Sequence, residues 1–139
     1  MIVVDSSAVI ALLFREPPAA AIAARLAADP DRVMSVASYL EAGTVLAGRR
    51  RADRLRAIDD LDQFLAEAGI DLRAVDPVQA RFALHARIAY GRGMGHGGSL
   101  NFGDAFSYAL AKSLDAPLLF IGDDFAATDV VPALAADLR

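Results

Sequence analysis

Four short runs rich in apolar and β-branched residues alternate with longer stretches of helical periodicity, and this pattern limits the fold more than any other feature. Ile2-Val3-Val4, Val33-Met34-Ser35, Ile70 to Val75 and Leu118 to Ile121 read as strands. Ser6 or Ser7 can cap a helix over Ala8 to Phe14, and Pro17-Pro18 interrupts it and opens an alanine-rich helix ending near Asp29-Pro30. Ser38 is placed to cap a helix carrying Leu40, Thr44 and Ala47, with Glu41 at the capping-box position. Residues 53–68 predict an amphipathic helix with the stripe Leu55, Ile58, Leu61, Phe64 and Leu65, stopped by Gly69. Pro77 opens another helix to about Ala89. Ser99 or Asn101 caps one running through Leu114, and a short helix follows Pro132. Strands that alternate with helices imply βαβ units, and hence an α/β fold whose parallel sheet is covered on both faces.

A chain of 139 residues has room for a single domain, 1–139. At 55% hydrophobic and 23% charged residues it can bury a core, which excludes a disordered segment. The absence of cysteine removes disulfides, thiolate metal sites and cysteine nucleophiles together. Asp5 comes too early for a signal peptide, and the apolar run Ala8 to Phe14 closes on Arg15-Glu16 far short of a membrane span. The expectation is a soluble, cytoplasmic protein without membrane contact. A net charge of −4 looks unfavourable for binding nucleic acid, but a protein that gathers carboxylates around a metal reads as acidic whatever its substrate.

The acids carry the chemistry. In open parallel sheets ligands sit beyond the carboxyl ends of the strands. Asp5 and Gly122-Asp123-Asp124 directly follow the first and last strands, so both are expected at one crevice. Glu41 lies among Ala37, Tyr39 and Ala42, and Asp104 between Phe102, Ala105 and Phe106, apolar settings in which a carboxylate needs compensation. Taken singly, each has a plainer reading: Glu41 as a capping residue, Asp104 as an acid on a helix dipole, Asp5 as a strand-end turn. Together they suit Mg²⁺ or Mn²⁺, which prefer carboxylate oxygen.

Four segments in series resemble the PIN-domain nucleases: Val4-Asp5-Ser6-Ser7-Ala8, Ser38-Tyr39-Leu40-Glu41, Leu100-Asn101-Phe102-Gly103-Asp104-Ala105-Phe106-Ser107-Tyr108-Ala109-Leu110-Ala111, and Pro117 to Phe125 with Thr128-Asp129. The last segment is similar to the VapC toxin branch. The resemblance spans the chain and implies a three-layer α/β/α domain with a mainly parallel sheet. It also implies a Mg²⁺-dependent (or Mn²⁺-dependent) endoribonuclease, the toxin of a type II toxin–antitoxin pair. Asp5, Glu41 and Asp104 carry over as metal-site acids. The fourth acid is Asp123 or Asp124, with Asp123 the first choice, because Gly122 stands where a side-chain ligand is often found. Ser7 and Asn101 are candidate polar supports, or simply helix caps. The implied chemistry is attack on phosphorus by a metal-activated water.

Arg49, Arg50, Arg51 and Arg54 fall in a basic run that can line an RNA groove, contact a VapB-like antitoxin, or only solvate a helix end. A homodimer through one apolar helix face is also implied. Gly91 to Gly98 lacks the Lys-Ser/Thr ending of a phosphate-binding loop and reads as a lip next to Asp104. His85 suits surface or packing, and His96 in that loop is a candidate substrate contact. Two other functions compete. One is a catalytically silent PIN-like RNA-binding or interaction module. The other is a haloacid-dehalogenase-like phosphatase, suggested by Gly122-Asp123-Asp124 but weakened by Ser7 where an acid/base Asp is needed.

Overall fold

The computed structural model describes residues 1–95 and 97–139, so His96 lies outside the described residues. Strands β1 (Ile2–Val4), β2 (Arg32–Ser35), β3 (Ile70–Arg73) and β4 (Leu118–Leu119) form one sheet in the order β3-β2-β1-β4, with every pair parallel. The helices α1 (Ser6–Leu13), α2 (Ala19–Ala27), α3 (Val36–Arg49), α4 (Arg56–Ala68), α5 (Pro77–Tyr90) and α6 (Asp104–Leu114) connect and cover it. Among the described residues no helix is long and apolar enough to cross a membrane.

The period-two alternation of strands sorts the core into two layers. Ile2, Val4, Met34, Leu119 and Ile70 point into a cluster with residues of α1 to α4. Val3, Val33, Leu118 and Phe120 point the other way, against Ala83, Ala86, Ala105 and Ala109 of α5 and α6. Strands β1, β2 and β4 are thus buried on both faces and read as apolar runs, whereas the edge strand β3 is buried only at Ile70. The result is the three-layer α/β/α arrangement expected.

Helix starts differ from the sequence expectations in ways that matter for the site. Asp5, not Ser6 or Ser7, caps α1: its carboxylate accepts from the Ser7 backbone N–H at 2.9 Å. Ser35, the last residue of β2, caps α3 by accepting from Ala37 N, so the chain passes from strand to helix without a loop. Ser38 therefore falls in the first turn, where it is fully buried, and Glu41 is not a capping-box residue. Helix α6 starts after Gly103, with Asn101 Oδ1 accepting from Asp104 N at 2.9 Å; Ser99 turns instead to Asp124 O at 3.0 Å. The last helical turn is a 3₁₀ segment, Ala136–Leu138.

The stripe expected on residues 53–68 divides. Leu61 and Leu65 are buried, but Leu55 precedes α4, which begins at Arg56, and is 78% exposed, and Ile58 within the helix is 53% exposed. With Leu40, they border a groove of about 350 Å³ between α3 and α4 rather than the core.

Candidate active site

The site forms where β1 and β4 end side by side. Asp5 follows β1 immediately, and its backbone N–H donates to Leu119 O of β4 at 2.9 Å. After Ile121 the chain turns through Gly122, whose φ of +91° favours glycine and which leads directly into Asp123 and Asp124. The first turns of α3 and the start of α6 bring Glu41 and Asp104 to the same end of the sheet.

Each carboxylate has its own donors. Asp5, only 2% exposed, accepts at Oδ1 from Ser107 Oγ at 2.6 Å and at Oδ2 from Ser7 Oγ at 2.6 Å. Ser7 Oγ in turn accepts from Ile121 N at 3.0 Å, tying α1 to the end of β4. Ser38 and Ser107 share a buried hydroxyl–hydroxyl hydrogen bond of 2.8 Å. Glu41 Oε2 accepts from Ser6 Oγ at 2.9 Å. Asp104, 6% exposed, accepts at Oδ2 from Asn101 N at 2.9 Å, reciprocating the bond from its own N–H to Asn101.

These donors do not offset the crowding of negative charge. Burial, reinforced by the charges of Asp5, Asp124 and Glu41, pushes the Asp104 carboxyl up to about 7 against the Asn101 backbone hydrogen bond that favours its charged form. Burial likewise raises Glu41, opposed by the Ser6 hydrogen bond and assisted by Asp5 and Asp124. The acids that bear on one another are therefore Asp5, Glu41, Asp104 and Asp124. Sequence reasoning put Asp123 ahead of Asp124, but it is Asp124 whose charge bears on Glu41 and Asp104.

Among the described residues no three Asp, Glu or His side chains stand close enough together to hold an ion as placed. The donor set nevertheless fits a hard divalent cation. It consists of carboxylate oxygens, partly buried and repelling one another, with no thiolate or imidazole brought among them in the described residues.

Ser6, Ser38 and Ser107 were missed as site residues. The available signal was spacing: Ser107 stands three residues beyond Asp104, and Ser38 three before Glu41, each on the helix face of its acid. Ser107→Ala leaves Asp5 Oδ1 and the buried Ser38 hydroxyl each short of a partner. A loss of about 1–3 kcal/mol is expected in urea unfolding, and an unchanged midpoint would show that the network contributes nothing to stability.

The basic run is spread over the end of α3 and the loop after it. Arg49 stacks over the Phe14 ring at 4.0 Å and lies 3.8 Å from Glu16; Arg50 pairs with Asp60. Arg51 and Arg54 are exposed, and Arg54 borders the α3–α4 groove. In the glycine-rich segment, Arg92 reaches Asp124 at 3.9 Å and its backbone N–H donates to Leu100 O. His85 is exposed on α5, bordering a separate cavity of about 530 Å³ with Tyr108 and Asp129.

A parallel α/β/α sandwich with acids at the carboxyl end of its sheet matches the PIN domain over residues 2–131, and the chain belongs to that family. Its curated relatives at nearly full length are VapC ribonucleases. Ribonuclease VapC28 of Mycobacterium tuberculosis is 47% identical over 132 residues, covering 95% of this chain and 97% of the relative. VapC ribonuclease Mb2780c of Mycobacterium bovis is 43% identical over 131 residues, covering 94% and 98%. The crystal structure of Mycobacterium tuberculosis VapC20, described as a sarcin-ricin loop cleaving toxin, shares the fold with a TM-score of 0.73 at 20% identity, covering 94% of this chain and 97% of that one. A toxin–antitoxin complex from Klebsiella pneumoniae shares it with a TM-score of 0.66 at 19% identity, covering 96% and 98%.

Proposed function

We propose that this protein is a Mg²⁺- or Mn²⁺-dependent endoribonuclease, the toxin of a type II pair held in check by a VapB-like antitoxin. The observation that carries the reading is the group of mutually repelling acids, Asp5, Glu41, Asp104 and Asp124, at the carboxyl end of the sheet, with Asp104 pushed up to about 7. These four would hold the cation. A divalent ion bound there supplies Lewis acidity, acidifying water and offsetting charge that develops on the phosphate oxygens. The chain's own part is orientation. Ser7 and Ser107 hold the two oxygens of Asp5, Ser6 holds Glu41, and Asn101 fixes Asp104 from the backbone. No side-chain nucleophile is required.

Arg51, Arg54 and Arg92 offer exposed cationic groups to the phosphates of RNA, so binding should weaken with salt. The apolar groove bordered by Leu40, Leu55 and Ile58 is a surface of the kind a protein partner covers, which suits the antitoxin. Full-length relatives named ribonucleases count against a catalytically silent PIN-like module. Ser7, whose hydroxyl bonds Asp5 and Ile121, stands where a phosphatase of that kind needs an acid/base Asp.

Purified protein incubated with single-stranded RNA should cleave it with Mg²⁺ or Mn²⁺ and leave it intact in EDTA. Binding without cleavage in both conditions would instead identify an RNA-binding module. Turnover of small phosphoesters with RNA spared would identify a phosphatase.

A further inference from the structure

Gly103 stands at the start of α6 with φ −65° and ψ −44°, ordinary right-handed helical values open to any L residue. Its backbone therefore does not require glycine, and at such a position glycine costs conformational entropy that alanine does not. The steric surroundings supply the reason. A Cβ on Gly103 would lie 2.7 Å from Glu41 Oε1, 2.8 Å from Oε2 and 2.9 Å from Cδ, all inside van der Waals contact. The three nearest atoms all belong to one carboxylate. The same carboxylate accepts from Ser6 Oγ at 2.9 Å, so the serine hydroxyl and the glycine both adjoin it.

We propose that Gly103 is a positioning residue, its missing side chain being the space that the Glu41 carboxylate occupies beside Asp104. The proposal deepens the nuclease reading and rests on it for its catalytic arm only. A groove of about 390 Å³ lined by Ala37, Leu40, Glu41, Phe102, Gly103 and Phe106 opens next to the carboxylate. A methyl group at position 103 would therefore drive Glu41 outward into that groove rather than break the helix. Glu41 would lose Ser6 and its place among the acids, while the fold remained.

The test is a double-mutant cycle on the full chain, read first by thermal unfolding without metal. In the Glu41→Ala background, Gly103→Ala should raise Tm by about 1–4 °C, the ordinary gain at a helical glycine. With Glu41 present, the same substitution should give a smaller rise or a fall. The Glu41→Gln background, which keeps the bulk without the charge, should behave like wild type. Equal Tm changes in the wild-type and Glu41→Ala backgrounds would overturn the proposal, whether or not the protein cuts RNA. In the second arm, Gly103→Ala should lower kcat on RNA about 100-fold with KM little changed, since a displacement of about 1 Å can cost that much. It should also weaken Mn²⁺ binding about tenfold or more. Wild-type kcat and Mn²⁺ affinity in Gly103→Ala would equally overturn it. An inactive wild-type protein would sink the nuclease reading, leaving the unfolding cycle to decide the contact.

Discussion

Asp104→Asn is expected to abolish RNA cleavage and at the same time to make the metal-free protein more stable above pH 7. The two effects share one cause. Asp104 is buried, and Asp5, Asp124 and Glu41 add their charge, so ionising it in the folded state is costly. Between the ordinary carboxylate value of 3.8 and the folded value of about 7, the folded protein keeps a proton that the unfolded chain has released. The unfolded state then binds fewer protons, so stability falls as pH rises through this window. The Asp104 contribution is fully present below about pH 4 and gone above about pH 7, and amounts to about 4 kcal/mol at most. Glu41, raised for the same reason, adds a slope of the same sign. Asparagine keeps the shape and can still accept from Asn101 N, but carries no charge. Urea unfolding at pH 5 and pH 8 measures the slope, which Asp104→Asn should flatten. A folded Asp104→Asn that cuts RNA at the wild-type rate would remove Asp104 from the site.

Adding Mn²⁺ or Mg²⁺ at about a hundredfold above Kd should stabilise the protein by about 2.7 kcal/mol. For a chain of this size that corresponds to a rise of about 10 °C in Tm. The gain should be larger at pH 8 than at pH 5, because the cation binds carboxylates only in their charged form and displaces the proton held near Asp104. Cation binding thus opposes the destabilising slope of the metal-free protein. EDTA should reverse the shift, and Asp104→Asn should lose most of it. A melting temperature indifferent to both ions would end the metal reading, even if some RNA cleavage persisted.

These outcomes depend on features of unequal legibility. Strand and helix types, the parallel sheet and its two covered faces were readable because hydrophobic periodicity is local, and because βαβ order leaves few topologies. Asp5 was readable as a site acid for a similar reason: it ends the first apolar strand, and the carboxyl end of a parallel sheet is where ligands sit. Glu41 and Asp104 stand out as acids in apolar settings, and the resemblance to the PIN-domain nucleases is what joins them to Asp5.

Other features depended on contacts between segments distant in sequence. Placing the cap of α3 at Ser38 instead of Ser35 keeps Glu41 in the helix but gives it the wrong role. The true start leaves Glu41 unengaged by its helix end and turns Ser38 inward to Ser107. Leu55 and Ile58 fit a buried stripe by spacing, yet no element packs over them, and burial is a property of neighbours rather than of period. That the charge of Asp124 acts on Glu41 and Asp104 depends on how these separate segments meet in space, which their order in the chain does not show.

Local pattern along the chain marks which residues could be chemical and, for the acids that follow strands, at which end of the sheet they lie. Which of them share a charge environment is fixed by the packing, because burial and Coulomb repulsion act through space between the ends of β1 and β4 and the starts of α3 and α6. For the same reason the packing alone shows that the glycine before Asp104 leaves room for the carboxylate of Glu41, a residue from a different helix.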